Sequence, residues 1–582
     1  MPDKSHDIFN RIKPLIPLIA AFIFTLILLI FAICQYETND DMTMIRLLSG
    51  KNGLGATPDA VFLSLPLGAI LYKHYQLAGN VPWYGLFLYS SLISGCAVGL
   101  KIILGSTTAT ANRIICTIAF LGFYSHLVCQ LNFAGVSLFL WLVAIAAISQ
   151  SSLNHKNCHG EYLIYGLMLA VSFLIRPDIL LVSLVFSAPA FATLPFSSTK
   201  RKLTALLVPL LMALAISTAC NRAYRATPEY RTYAEFNKSR SDLLDLHSGE
   251  PTGKTVAAMA SVDWNIYDYI LAGDWWLHDG SLYNKESFVK FTGQNSSNFS
   301  KMVSTDTSTQ AANRFKLPLT IIAICLLSSL FSNCQISRLK GREFYAVSGS
   351  AVITLGAVLL MSAIRFPPRV ALPVSCYLVL LLVIASTIFT KRTSQIVPLR
   401  ICIATACIIA VTGGTLFMLK DEYHKRFMAG QIKGFTDTTL RQVVNNTPSD
   451  TVMISANITG FSYNSEATHP LSEFRNSLPL LDFPGSWLIA SPAYNSFLQK
   501  NGFGDRTRAV PRMINNDRVL FSYWQSPTEN FELFSNNFLA HLNGRYSAEF
   551  PGKTFRIVPL FDNRGTSGNF GWIFFRVNAV AQ

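Results

Sequence analysis

The feature that most constrains this chain is a series of apolar runs, each near the ~20 residues that cross a bilayer as a helix. The first reads LIPLIAAFIFTLILLIFAIC, and similar runs recur over the first 420 residues. Only 14% of the residues are charged, while 51% are hydrophobic, as expected for an integral membrane protein. The eleven predicted spans are 14–34, 85–104, 113–130, 134–150, 161–176, 178–196, 203–220, 317–335, 345–363, 371–389 and 400–419.

Basic residues set the predicted orientation. Lys4, Arg11 and Lys13 precede the first span, so the amino terminus is expected on the cytoplasmic side. With eleven spans, every inside loop contains Lys or Arg. The apolar stretch 60–71 is too short to span and is interrupted by proline and glycine, so we interpret it as a helix at the membrane interface. Counting it as a span would invert the charge bias of everything after it.

The predicted fold is an α-helical polytopic membrane module over residues 1–420, followed by an extracytoplasmic α/β domain over 421–582. The module has an acidic first outer loop, 35–84, and a large outer loop, 221–316. The tail is long enough to hold its own core. Its predicted strands are 451–458, 487–494, 518–524, 554–561 and 571–580, and its predicted helices are 438–446 and 529–544.

The distribution of charge argues against nucleic-acid binding, and the positions of the cysteines argue against a cysteine-based metal site. The net charge is +15, but many of the basic residues lie in short loops between spans, and there is no basic stripe with interleaved aromatics. We therefore predict no nucleic-acid partner. The eleven cysteines lie in spans or at their edges, and no CxxC or Cys/His spacing typical of a metal site occurs.

An acidic cluster opens the first outer loop. The stretch QYETNDDM places Glu37, Asp40 and Asp41 directly after the first span. Asn39 or Asp40 could simply cap a short helix over 41–49. A functional role is compatible with that cap, because the helix amides favour the ionised form of a nearby carboxylate.

Two later junctions place arginine on the side where the charge bias expects few cations. FLIRPDILL contains Arg176 and Asp178, and SAIRFPPRVALP contains Arg365 and Arg369. A local ion pair could explain the first, and snorkelling at a span end could explain the second. Under the predicted orientation, however, both junctions share a face with the acidic cluster. Carboxylates and arginines together suit a reaction that releases an anionic phosphate.

Together these motifs resemble the GT-C superfamily of membrane glycosyltransferases, which use sugars carried on polyprenyl phosphate. The resemblance covers about residues 1–400 and rests on the early acidic pair, the interfacial helix and the two arginine junctions. It implies that Asp40 or Asp41 is the general base, with Glu37 as a further candidate. It also implies that Arg365 and Arg369 bind the donor phosphate, and that Arg176 is a second phosphate ligand or a partner of Asp178.

The large loop carries a further part of the resemblance. Its segment WNIYDYILAGDWWLHDGSLYNKESF is similar to bacterial members that act on surface polysaccharides. The resemblance implies that aromatic and acidic side chains of this segment line an acceptor groove, and the alternative is a packed loop core. The residues concerned are Trp264, Asp268, Trp275, Trp276 and Asp279.

The sequence therefore predicts a glycosyltransferase of the bacterial inner membrane, working at the extracytoplasmic face. Its donor would be a polyprenyl-phosphate sugar, and its acceptor an O-antigen or lipopolysaccharide glycan, with inversion at the sugar. The other expected partners are membrane lipids, a donor synthase and a donor flippase. A divalent cation, Mg²⁺ or Mn²⁺, on Asp40 or Asp41 is a further possibility.

Three alternatives stay open. An O-antigen polymerase or ligase also joins lipid-linked sugars, but the early acidic motif favours a monosaccharide transferase. A pilin glycosyltransferase differs only in its acceptor. A transporter or flippase of lipid-linked sugars would need ionisable residues deep within its spans. The predicted spans are nearly free of mid-span charge.

Overall fold

The fold is described from a computed structural model of the 582-residue chain. The described residues are 13–37, 39–50, 55–106, 110–153, 159–180, 200–244, 253–294, 368–388, 405–414, 438–456, 488–525, 530–562 and 571–581, the short pieces 183–184, 186–187, 416–417, 469–471 and 481–483, and residues 320, 322, 420, 423, 427 and 564.

Apolar helices form the first part of the molecule. They are α1 (Ile16–Phe31), α4 (Trp83–Leu104), α5 (Thr110–Cys129), α6 (Phe133–Leu153), α7 (His159–Ile175), α8 (Lys200–Arg225) and α13 (Pro368–Ile388). Helix α6 lies at the centre, where it packs against α4, α7 and α13 and is buried along almost its whole length. Helix α8 packs against α7 and leaves most of its own surface exposed.

Four of these helices are long and apolar enough to cross a membrane: Trp83–Leu104, Thr110–Cys129, Phe133–Ser151 and Leu203–Tyr224. Shorter apolar helices occupy Ile16–Phe31, His159–Ile175, Arg369–Ile384 and Thr405–Gly414. Each of the eight falls on a predicted span. The other three predicted spans, 178–196, 317–335 and 345–363, lie largely or wholly outside the described residues, so the count of eleven stays a prediction.

Two short helices follow α1. Helix α2 (Asn39–Ser49) begins two residues earlier than the predicted 41–49 and carries Asp40 and Asp41 in its first turn. Gly50 ends it with a φ of +70°, a conformation that glycine adopts without steric cost. Helix α3 (Leu65–Leu77) has 13 residues, too few to span, which agrees with the short non-spanning helix expected near 60–71.

The described part of the large loop, 221–244 and 253–294, folds into four helices: α9 (Pro228–Leu244), α10 (Gly253–Ser261), α11 (Ile266–Gly273) and α12 (Lys285–Gln294). A capping box begins α11, because the side chain of Asn265 accepts from the backbone of Asp268 while Asp268 accepts from the backbone of Asn265.

In its described residues, the tail contains a mixed five-stranded sheet, the helical stretch 438–446 and three further helices. The strands are β3 (Val452–Ser455), β4 (Leu481–Phe483), β5 (Val519–Gln525), β6 (Lys553–Asp562) and β7 (Gly571–Ala581), and the helices are α14 (Pro492–Lys500), α15 (Ala509–Met513) and α16 (Phe531–Tyr546). The strand order is β4-β3-β5-β7-β6. Strands β4, β3 and β5 run parallel, while β5, β7 and β6 pair antiparallel.

Alternation along the strands sends side chains to opposite faces of this sheet. Leu520 and Trp572 belong to a small cluster on one face, which the helical stretch 438–446 covers through Leu440 and Val443. The neighbouring Phe521 and Ile573 belong to the main core, which extends without a break into the large loop. The tail therefore shares its core with the loop.

One predicted tail strand is wrong. The stretch 487–494 forms no strand in its described part, 488–494, because α14 begins at Pro492. Ser491 is the N-cap, and its hydroxyl accepts a hydrogen bond from the backbone of Tyr494 at 3.2 Å. Proline in the first turn after a serine cap is a helix-start signal that outweighs the apolar stretch before it.

Candidate active site

Asp41 is the best-anchored residue of the acidic loop. Its side chain is fully buried. Oδ1 accepts hydrogen bonds from the Tyr84 hydroxyl at 2.7 Å and from the backbone N–H of Phe133 at 3.3 Å. Oδ2 accepts one from the Asn132 amide at 3.3 Å. These three donors hold the buried carboxylate in one orientation.

A short parallel ladder holds the acidic loop against the start of α6. Strand β1 (Gln35–Tyr36) pairs with β2 (Gln130–Leu131), and the backbone N–H of Glu37 donates to the carbonyl of Leu131 at 3.0 Å. The Asn132 side chain accepts from the backbone N–H of Ala134 at 2.8 Å and so caps the first turn of α6. The position of the acidic loop is therefore fixed by its pairing with the segment that leads into α6.

Asp40 lies one residue before Asp41 but in a different environment. Asp40 is partly exposed, whereas Asp41 has no exposed surface. Both carboxylates act electrostatically on Arg176. Glu37 is also partly exposed and lies at the end of the β1 ladder. Of the two aspartates, only Asp40 is placed to meet a molecule that arrives from outside the fold.

Arg176 rests on an aromatic platform. Its guanidinium carbon lies 5.0 Å from the ring centroid of Phe133, and the Phe62 ring stacks on Phe133 with centroids 5.6 Å apart. Val61, just before Phe62, has a φ of +62°, which is unusual for a β-branched residue. The side chain of Asp59 accepts from the backbone of Val61 at 3.0 Å and holds this turn.

Arg369 lies near enough to Arg176 to act on its charge. Burial lowers the pKa of Arg176, and the nearby charge of Arg369 lowers it further, while Asp178, Asp40 and Asp41 act in the opposite direction. The backbone of Arg369 lies against α6, since a β-carbon at Gly135 would be 3.3 Å from the carbonyl oxygen of Arg369. Two positive charges within electrostatic range of each other favour the binding of a polyanion.

The structure thus brings five of the predicted site residues into one electrostatic cluster: Asp40, Asp41, Arg176, Asp178 and Arg369. Arg365 lies outside the described residues. Among the described residues, no group of three His, Cys, Asp or Glu side chains is arranged to hold a metal ion. Asp41 fits a cation poorly, because both of its oxygens already accept hydrogen bonds. A divalent cation stays a prediction.

The acids of the large loop bind the tail instead of lining an open groove. Asp268 has no exposed surface, lies 2.7 Å from Nδ1 of His541 and pairs with the guanidinium of Arg545. Asp279 accepts from the hydroxyls of Ser281 and Tyr546. Both acids thus have structural partners.

The loop tryptophans are likewise packed. Trp264 and Trp276 are almost wholly buried, and Trp276 makes edge contacts with Phe538 of α16 at 4.8 Å between centroids. Trp275 is partly exposed and holds the guanidinium of Arg240 at 4.7 Å from its ring centroid. These contacts correspond to the packed-core alternative. The acceptor-groove role of these five residues stays a prediction that the burial does not favour.

The residues that position the charged side chains of this site could not be predicted from the sequence. Tyr84, Asn132, Phe133 and Phe62 come from segments far apart in the chain, and no local motif predicts that they contact the charged residues. Asn132 gave one usable signal, since an asparagine directly before an apolar helix is a common N-cap.

No protein-family model matches this sequence, and no curated protein matches it either. Among solved structures, the chain is similar to ArnT from Cupriavidus metallidurans bound to undecaprenyl phosphate, with 10% identity and a TM-score of 0.34. It is also similar to ArnT from the same organism in the apo state, with 11% identity and a TM-score of 0.35. Both matches cover 96% of this chain and 97% of the other. Similarity at this level supports no conclusion about activity.

Proposed function

We propose that the chain is an integral membrane glycosyltransferase of the GT-C type, which takes its sugar from a polyprenyl-phosphate donor. The observation that carries the proposal is the convergence of Asp40 and Asp41 with Arg176 and Arg369 at one end of a bundle of apolar helices. A general base and a phosphate site are the two parts that such a transfer needs.

The environments of the two aspartates divide their roles. Asp40 is the proposed general base, because it is partly exposed and lies within electrostatic range of Arg176. Asp41 is a positioning residue, since Tyr84, Asn132 and the Phe133 backbone already use its oxygens. Arg176 and Arg369 bind the donor phosphate, and Arg365 belongs with them in this proposal.

The proposed transfer needs only Asp40, the two arginines, the donor and the acceptor. Asp40 accepts the proton of an acceptor hydroxyl as its oxygen attacks the anomeric carbon of the donor sugar. The bond between that carbon and the phosphate oxygen breaks, and polyprenyl phosphate leaves with the bonding electrons. Arg176 and Arg369 stabilise the added negative charge. Direct displacement inverts the anomeric configuration.

The same proposal includes the orientation of the protein in the membrane, its acceptor and its partners. The amino terminus is cytoplasmic, and the site and the tail face the extracytoplasmic side of a bacterial inner membrane. The acceptor is a surface glycan of the O-antigen or lipopolysaccharide kind. A donor synthase and a donor flippase supply the lipid-linked sugar, and Mg²⁺ or Mn²⁺ assists if the reaction needs a cation.

The test replaces Asp40 with Asn and follows transfer of radiolabelled sugar from a polyprenyl-phosphate donor in membranes that hold the full chain. Loss of a general base is expected to lower the rate by about 10²–10⁴-fold. The matched control is Asp517→Asn, an exposed aspartate in the tail, which should keep full activity. Undiminished transfer by the Asp40 variant at equal expression would refute the assignment.

A further inference from the structure

A cavity outside the acidic site lies where α8 turns into α9. Its volume is about 790 Å³, and it is lined by Thr218, Asn221, Arg222, Ala226, Arg231, Ala234, Glu235 and Lys238. Among the described residues, the lining holds three cations and one carboxylate. A cavity of this size fits the head group of a lipid or a small ligand.

Ion pairs occupy the other charged groups of the lining but not Arg222. Glu235 pairs with Arg231 at 3.3 Å and with Lys285 of α12 at 2.9 Å, and Lys238 pairs with Asp242 at 3.0 Å. Within the described part of the chain, the guanidinium of Arg222 makes no ion pair or hydrogen bond. Arginine offers a planar fork of donors that matches phosphate oxygens.

The approach to the cavity is apolar. Helix α8 is one of the helices long and apolar enough to cross a membrane. Its exposed side chains include Leu211, Met212, Leu214 and Ile216, each at least 40% exposed. Leu211 and Leu214 lie on the helix face that continues, at spacings of three and four residues, to Thr218, Asn221 and Arg222 of the cavity lining. Apolar contacts followed by a polar, cationic end match the shape of a phospholipid.

The turn between α8 and α9, beside the cavity, is held by contacts of Tyr224, Tyr230 and Thr227. The rings of Tyr224 and Tyr230 lie 3.9 Å apart between centroids. The Tyr224 hydroxyl lies 3.1 Å from that of Thr57, which follows the acidic helix α2 in the first loop. Thr227 bonds back to the Tyr224 carbonyl at 2.6 Å and closes the turn between the helices. The cavity is therefore at the same end of α8 as the acidic loop.

We propose that this cavity binds the phosphate of an anionic phospholipid whose acyl chains lie along α8. Arg222 contacts the phosphate, and Asn221 and Thr218 complete the polar lining. A phospholipid, not a soluble anion, is favoured because Leu211 and Leu214 are exposed on the same helix face as Thr218 and Arg222. The proposal stands independently of sugar transfer.

Native mass spectrometry of the full chain in non-ionic detergent tests the proposal, with phosphatidylglycerol as the probe. We expect phosphatidylglycerol to bind about tenfold more tightly than phosphatidylcholine, whose choline offsets its phosphate charge. Arg222→Gln should remove that preference. Ala226→Trp should weaken binding by filling the cavity while keeping its charges. Arg556→Gln, an exposed arginine of β6, is the matched control and should bind as the unaltered chain does.

Three outcomes would overturn the proposal. The first is equal binding of the two lipids. The second is unchanged phosphatidylglycerol binding in both cavity variants. The third is binding of inorganic phosphate as tight as that of the lipid, which would make the cavity a site for soluble anions. Melting temperatures of all variants identify a misfolded protein, and Ala226→Trp keeps the test decisive if Arg222→Gln misfolds.

Discussion

The hydroxyl of Tyr84, at the start of α4, donates a 2.7 Å hydrogen bond to the buried carboxylate of Asp41. The two residues are 43 positions apart and belong to different helices. Their bond joins the acidic helix α2 to the first residues of a membrane-length helix. The position of the neighbouring Asp40 therefore depends on a contact that Asp40 does not make itself.

Tyr84→Phe should separate positioning from catalysis. Removing the hydroxyl leaves Asp41 with one donor fewer in a buried setting, which costs about 1–3 kcal/mol. We expect a lower melting temperature and a reduced rate of sugar transfer, with the pH dependence of the rate unchanged. Tyr72→Phe, on α3, is the control and should alter neither. A Tyr84→Phe protein as stable and active as the unaltered chain would show that the bond is unimportant.

Phe133→Leu should weaken use of the donor. The Phe133 ring lies 5.0 Å from the Arg176 guanidinium, and a cation–π contact is worth about 0.5–2 kcal/mol. We expect the KM for the polyprenyl-phosphate sugar to rise up to about tenfold, while the KM for the acceptor stays constant. Phe22→Leu, an exposed position on α1, is the matched control. A rise in the acceptor KM alone would contradict a phosphate role for Arg176.

Asp268 should make the loop and tail contact sensitive to acid. Burial raises its pKa, but hydrogen bonds from His541 and Arg545 outweigh burial, so the folded-state pKa is below the ordinary value. A lowered carboxyl pKa stabilises the fold above the unfolded pKa of about 4. That stability is lost as the pH falls through the folded pKa.

Thermal unfolding of the purified full chain between pH 7 and pH 3 measures this effect. Asp268→Asn should lower the melting temperature at pH 7 and should flatten its decline in acid. Asp517→Asn, at an exposed position, should follow the unaltered protein at every pH. Parallel acid limbs for the Asp268 variant and the unaltered chain would rule out this carboxylate as the source.

Gly85→Ala should displace part of the tail. A β-carbon at Gly85 would lie 2.4 Å from the carbonyl oxygen of Pro470, and a backbone atom cannot move aside as a side chain can. We expect faster proteolysis near 469–471, together with altered sugar transfer, because Gly85 follows Tyr84 directly. Gly160→Ala, which has open space around it, is the control. An unchanged digestion pattern would show that the tail does not rest there.

The helices and the short loop elements were predictable because their signals are local. Apolar runs marked the helices, and Gly50 marked the end of α2. The stretch 487–494 failed because its apolar start favoured a strand, whereas the Ser491-Pro492 pair begins a helix. The serine N-cap followed by proline predicts a helix that begins at Pro492.

The charged residues of the candidate site were predictable from the sequence, but the residues that position them were not. Asp40, Arg176 and Arg369 are visible in sequence because charges are rare at span ends in an apolar chain. Tyr84 and Phe133 act through contacts across distant segments, which no single-sequence pattern encodes. The same reason explains Asp268, which looks like a loop acid in sequence and is a buried partner of the tail in the structure.

The core shared by the large loop and the tail has a consequence for the order of synthesis. The ribosome makes α9–α12 well before α14 and α16, so Trp276 and His278 lack their tail contacts, Phe538 and Tyr494, while the later helices are inserted. The loop therefore stays incompletely packed until the tail has been translated. During that interval we expect it to be most sensitive to proteases and most dependent on chaperones. A premature stop within the tail would thus damage a segment translated long before it.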